Sequence, residues 1–137
     1  MSKIGRNSNT ERLERFNKIW ESVNEFDVPV IVEGKRDILA VRQLGYSGEL
    51  VQLNDGKSIL HTVENLAKVL GIGSKFVILM DWDRTGIKLA KALEKYGVSC
   101  DLSPNLQVWR DLMSLCSKDI TCIEELPTFV SMLKQRI

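Results

Sequence analysis

Phe76-Val77-Ile78-Leu79-Met80-Asp81-Trp82-Asp83-Arg84-Thr85-Gly86 is the stretch from which the fold can be read. Its five leading apolar residues have the pattern of a strand buried on both faces in a parallel sheet. A helical pattern from Lys88 to Tyr96 begins directly after Gly86. Asp81 and Asp83 stand at the carboxyl end of this strand with one residue between them. Because side chains alternate along a strand, the two are expected to point the same way, with Cα atoms roughly 6 to 7 Å apart. A second apolar run, Val28-Pro29-Val30-Ile31-Val32, ends in Glu33-Gly34, and Asp37 follows shortly after. If the two strands are neighbours, three or four carboxylates share one cleft at the mouth of the sheet, where α/β proteins bind ligands. Such a cluster repels itself unless it takes up protons or a cation. A hard divalent ion is its natural partner.

Strand and helix patterns alternate outward from these two runs. A polar arm, Met1 to Asn7, precedes Ser8 and Glu11 at capping-box spacing, and Leu13, Phe16, Trp20 and Val23 then recur at helical intervals. That amphipathic helix is expected to pack its Phe16/Trp20 stripe within the chain rather than on a partner. A helix over 35–44, stopped by Gly45, separates the first strand from a second over 49–53. The turn Asn54-Asp55-Gly56 leads to a helix over 58–70 with Ile59, Val63, Leu66 and Leu70 on one face. After the aspartate-bearing strand and a helix over 86–96, a short fourth strand is predicted over 98–102. Ser103-Pro104 has the chemistry of a helix start, predicting a helix to about Ser117. The tail offers a short strand over 120–123 and a last helix from Pro127. This order predicts one α/β, Rossmann-like domain: a mainly parallel four-stranded sheet with helices on both faces. Residues 1–27 form an arm and helix, 28–102 the core, and 103–137 a helical extension of the same domain.

Composition bounds the function. With 44% hydrophobic and 27% charged residues the chain has ordinary globular usage, and 137 residues suffice for one domain with a real core. Nineteen basic against eighteen acidic residues give a net charge of +1, so any nucleic-acid-binding surface must be local. No apolar run reaches transmembrane length and no leader peptide is evident, which predicts a cytoplasmic protein without a membrane partner. Cys100, Cys116 and Cys122 form no CxxC pair, and the single His61 cannot complete a zinc site, so reduced free thiols are expected.

Ile31-Val32-Glu33-Gly34-Lys35-Arg36-Asp37, followed by Leu79-Met80-Asp81-Trp82-Asp83-Arg84-Thr85-Gly86, resembles the Toprim domain. Topoisomerases, bacterial-type primases, recombination mediators and certain nucleases share that module. The likeness covers roughly residues 28–102, and the ending Ile123-Glu124-Glu125-Leu126 is similar to small stand-alone Toprim proteins of archaea. The resemblance implies magnesium, with manganese as a substitute, and Glu33, Asp81 and Asp83 as the metal-site residues. It gives Glu33 the role of general acid/base and Asp37 a supporting one. Gly34 and Gly86 are expected to let the backbone turn sharply beneath the acids. Magnesium keeps several waters and takes one or two carboxylates plus substrate phosphate oxygens, which suits phosphodiester chemistry.

Basic residues flank the acids. Lys35 and Arg36 follow Glu33, while Arg84, Lys88, Lys91 and Lys95 fall on one face of the helix after Asp83. Lys35, Arg36, Arg84 and Lys88 are the expected nucleic-acid contacts, to DNA or RNA. Other candidates fail on spacing. Gly56-Lys57-Ser58 lacks the upstream glycine of a P-loop, and Gly71-Ile72-Gly73 precedes a strand instead of opening a helix. Trp82 is expected to point away from the acids and pack.

Three functions fit these residues. The first is a magnesium-dependent enzyme on nucleic-acid phosphodiesters, most simply a nuclease. The second is a non-catalytic nucleic-acid-binding or adaptor module whose metal site organises structure or a partner complex. A homodimer or a complex with a protein partner is compatible with each reading. The third is a haloacid-dehalogenase-type phosphatase, since Asp81-Trp82-Asp83-Arg84-Thr85 resembles that family's DxDxT motif. It leaves the Glu33 segment unexplained, and no GDxxxD-like acidic pattern follows.

Overall fold

The structure, a computed structural model, describes residues 8–53 and 56–135. The arm Met1–Asn7 and the Asn54-Asp55 part of the expected turn lie outside the described residues. In chain order the elements are α1 (Ser8–Phe26), β1 (Val30–Val32), α2 (Lys35–Gln43), β2 (Leu50–Gln52), α3 (Ile59–Leu70), β3 (Lys75–Ile78), α4 (Arg84–Ser99), β4 (Ser103–Asn105), α5 (Gln107–Cys116), a 3-10 turn (Ile123–Glu125) and α6 (Leu126–Gln135).

The four strands form one all-parallel sheet in the order β2-β1-β3-β4. Helices α3 and α4 pack together, while α1, α2, α5, α6 and the 3-10 turn pack with one another. The chain is thus a single Rossmann-like α/β domain, as its strand–helix alternation predicts. Val30, Ile31, Val32 and the run Phe76–Met80 are all fully buried, as strands covered on both faces require. Phe16 and Trp20 stack with ring centroids 5.7 Å apart, and the Trp20 indole donates to the Leu44 carbonyl. Both rings, and Trp109 on α5, are therefore used within the chain instead of being left for a partner.

The chain departs from the sequence expectation at three places. Residues 98–102 are not a strand, because α4 runs through Gly97 to Ser99. Gly97 acts there as a packing residue: an added Cβ would lie 2.9 Å from the Phe76 ring. The turn closes at Asp101, whose φ is 61°, with the Leu102 N–H on the Gly97 carbonyl. Ser103-Pro104 consequently opens β4 and not a helix, so the sheet extends beyond residue 102, the expected boundary of the core. Pro104 is tolerated because β4 is an edge strand, where a missing N–H costs no ladder bond. Finally, residues 120–123 make no strand. Their backbone is held from the side, by Trp82 and Asp81, and passes into the 3-10 turn.

Candidate active site

The sheet order places β1 beside β3, with α2 and α4 leaving these two strands toward opposite halves of the sheet. That is the topological switch point, where a crevice opens between diverging loops. Ile31 pairs with Ile78, and the Leu79 N–H donates to the Ile31 carbonyl. Glu33 follows β1 and Asp81 follows β3 at the same end of the sheet, close enough for the Asp81 charge to act on Glu33. Below the acids the Trp109 indole donates to the Met80 carbonyl at 2.8 Å in a buried setting. Trp109→Phe leaves that carbonyl without its donor. We expect a loss of about 1–3 kcal/mol, measurable by urea unfolding; an unchanged midpoint would show the bond to be dispensable.

The two aspartates do not follow strand alternation. β3 ends at Ile78, and the chain then bends, so that Asp83 becomes the N-cap of α4 with its Oδ1 accepting from the Gly86 N–H at 2.8 Å. Asp81 Oδ1 accepts from the Ile123 N–H at 2.9 Å, and Asp37 Oδ2 from the Gly34 N–H at 3.1 Å. Each of the three carboxylates thus commits one oxygen to a backbone cap and keeps the other. Trp82 is buried and serves packing, as expected, although strand alternation does not place it. Its backbone N–H bonds to the Thr121 carbonyl and its indole to that of Ile120 at 2.6 Å.

The glycine roles also differ from expectation. Gly34 has φ −143° and ψ −178°, extended backbone open to any residue, and an added Cβ would meet nothing within 4 Å. Gly86 lies inside α4, and what it provides is closeness: a Cβ there would run into the Asp81 backbone.

These acids strain one another electrostatically. Burial, then the charges of Asp81 and Asp83, raise the Glu33 pKa. Asp81 is raised by burial, against its bond from Ile123, with Asp83, Glu124 and Glu125 adding to the effect. Burial pushes Asp37 up to about 6 despite the Gly34 bond, and Asp81, Glu33 and Glu124 contribute. Glu124 and Glu125 were not among the residues expected at the site. The 3-10 turn brings them there because Asp81 and Trp82 hold the segment just before it. Glu125 also accepts from the Cys122 thiol, whose pKa burial and this bond push up to about 12.

A consequence for stability follows. Folded Asp37 keeps its proton to about pH 6, against an ordinary value of 3.8. Between these values the folded chain binds more protons than the unfolded one, so this contribution is full below pH ~4 and is lost as pH rises through ~6. Asp37→Asn can still accept from Gly34 and has no charge to desolvate. In EDTA its melting temperature should therefore gain on the wild type as pH rises from 4 to 7. A difference that shrinks over this range would contradict the assignment.

As to a cation, the donor set is hard oxygen throughout, and no lysine or arginine forms an ion pair with Glu33, Asp37, Asp81 or Asp83 among the described residues. Their self-repulsion is the state a divalent ion relieves. Among the described residues, however, no three such side chains converge as a ready-made metal cage. Glu33, Asp81 and Asp83 are thus coupled through their charges but do not enclose one point. An ion bound here would be held by at most two of these carboxylates, with water or substrate oxygens making up the rest of its shell.

Of the expected basic contacts, Lys35, Arg84 and Lys88 are exposed and make no ion pair among the described residues. Arg36 instead pairs with Glu124 at 3.6 Å, with both side chains exposed. His61 is exposed, and Ser58, the last residue of the P-loop-like run, merely caps α3. No helix among the described residues is long and apolar enough to cross a membrane. Cys100, Cys116 and Cys122 are free thiols.

No family model matches the chain. One solved structure, a putative protein from Aquifex aeolicus, superposes with a TM-score of 0.61 at 20% identity, covering 88% of this chain and 99% of that one, which shows the shared fold. Among relatives, a UPF0292 protein of Methanosarcina acetivorans is 36% identical over 129 residues, covering 92% of this chain and 87% of that protein. A UPF0292 protein of Pyrococcus furiosus is 39% identical over 117 residues, covering 85% and 84%. With such identity across most of both chains, this protein belongs to the UPF0292 family.

Proposed function

We propose that the chain is a small Toprim-type enzyme that cleaves nucleic-acid phosphodiesters with magnesium, for which manganese substitutes. The observation that carries this is the pile-up of unneutralised carboxylates at the switch point between β1 and β3. Asp81 and Asp83 would hold the cation through the oxygens left over from their caps, and Asp37 would support them. The bound ion would offset charge developing on the phosphate and polarise the attacking water. Glu33, its pKa raised by burial and by both aspartates, takes up a proton more readily than an ordinary glutamate, which suits it to proton transfer. Lys35, Arg84 and Lys88 would meet flanking phosphates.

The test is incubation of the purified protein with DNA and RNA, single- and double-stranded, with magnesium or manganese and with EDTA. Metal-dependent cleavage is the expected result, and an intact panel sinks the proposal. One observation favours the adaptor alternative: Asp37, Asp81 and Asp83 each cap a backbone N–H, a role that needs no catalysis. Binding without turnover would select it. Release of phosphate from small phosphate esters, with no polymer cleaved, would instead select the phosphatase.

A further inference from the structure

Arg84, Lys88, Lys91 and Lys95 are all exposed along α4, and none forms an ion pair among the described residues. At about 100° per residue they fall within an arc of about 60°, diametrically opposite the buried Gly86, Ala90, Leu93 and Gly97. The helix carries one acid, Glu94, against these four cations. In a chain of net charge +1, they form a basic track beside an acidic mouth. The track begins next to the acids, since Asp83 is the N-cap of α4 and Arg84 its first residue. It extends for about 16 Å at 1.5 Å per residue, the axial length of roughly five nucleotides of one strand in a duplex.

The aromatic residues point to the kind of polymer. Single strands are gripped by stacking their bases on exposed rings. Here Phe16, Trp20, Tyr46, Phe76, Trp82, Trp109 and Phe129 are buried, and Tyr96 is half-buried on the flank of α4. Phe26, the exposed ring, ends α1 just before β1 starts, at the opposite end of the sheet from the acids. Unpaired bases would find no phenylalanine, tyrosine or tryptophan platform at the mouth, where His61 at the start of α3 is an exposed ring, whereas a duplex needs only its phosphates met.

We propose that α4 is a backbone-tracking rail for double-stranded nucleic acid, leading one strand to the switch-point acids without reading its sequence. The proposal rests on the nucleic-acid reading of the site and adds the duplex and the contact surface.

The test is fluorescence anisotropy in EDTA over a salt series, with a labelled 20-base-pair DNA duplex, the matching RNA duplex and one DNA strand alone. Neutralising three cations in K88Q/K91Q/K95Q should lower the slope of log affinity against log salt by about 3 and weaken duplex binding by roughly 10²-fold or more at moderate salt. R15Q/K18Q on α1 should bind as the wild type does. The wild type should hold at least one duplex more tightly than the single strand, and which duplex wins identifies DNA or RNA. The proposal is overturned if the triple variant binds duplex within twofold of wild type, if R15Q/K18Q weakens binding as much, or if the single strand binds best. Metal-dependent cleavage with unchanged kcat/KM in the triple variant would also overturn it while leaving the nuclease intact. Duplex binding through α4 without any cleavage would keep the rail and remove the nuclease.

Discussion

Glu33→Gln should lower metal-dependent cleavage by about 10²–10⁴-fold, the usual worth of a positioned acid or base, while leaving the fold at least as stable. Glutamine is nearly isosteric with glutamate and removes a charge that Asp81 and Asp83 oppose. The melting temperature in EDTA at pH 7 should therefore hold or rise. Asp81→Asn should lose activity in the same way, yet its carbonyl oxygen can still accept from the Ile123 N–H and keep the C-terminal segment docked. Asp81→Ala loses both, and should unfold about 1–3 kcal/mol more easily than the asparagine variant. Measuring cleavage and melting on all three separates chemistry from scaffolding. If Glu33→Gln cleaves as the wild type does, Glu33 carries no proton. If activity and stability fall in step in every variant, the acids serve the backbone.

Gly86→Ala is expected to destabilise the protein by about 3 kcal/mol or more, in the upper range for overpacking. Within a helix the same change ordinarily gains up to ~1 kcal/mol. The sign reverses here because a Cβ at Gly86 would lie 2.5 Å from the Asp81 carbonyl carbon and closer still to its oxygen. Both partners are backbone, one in the segment that follows β3, held through Asp81 by the Ile123 N–H, and one inside α4, so neither can swing aside. Any relaxation moves Asp81 or shifts α4 away from the mouth, and metal-dependent activity should fall even where the variant folds. Gly34→Ala is the internal control: with open space around it and an extended φ, it should change stability by less than about 0.5 kcal/mol. Urea titration of both variants decides the matter, and equal midpoints would show that Gly86 is not under compression.

Much of this fold is legible in the residues. The runs at 30–32 and 76–80 are apolar without alternation, which only strands covered on both faces require, and the helices between them carry clear amphipathic faces. Elsewhere the local signals conflict with packing. Gly97 reads as a helix stop and Ser103-Pro104 as a helix start, yet the Phe76 ring needs the space beside Gly97, and the edge of the sheet accepts the proline. At the site the acids are legible by type and position, but their hydrogen bonds are not. Asp83 reads as the partner of Asp81 on a strand, and becomes a helix cap because β3 has already ended.

By itself the sequence determined that two buried apolar runs are each followed by carboxylates, since hydrophobic periodicity and residue type are local properties. Only the tertiary structure decided that β1 and β3 are neighbours, because strand order depends on which crossovers pack and not on any one segment. It alone also decided that Glu124 and Glu125, some forty residues beyond the aspartates, join the cluster. The buried indole of Trp82 and the cap oxygen of Asp81 needed backbone partners, and the segment before the 3-10 turn supplied them.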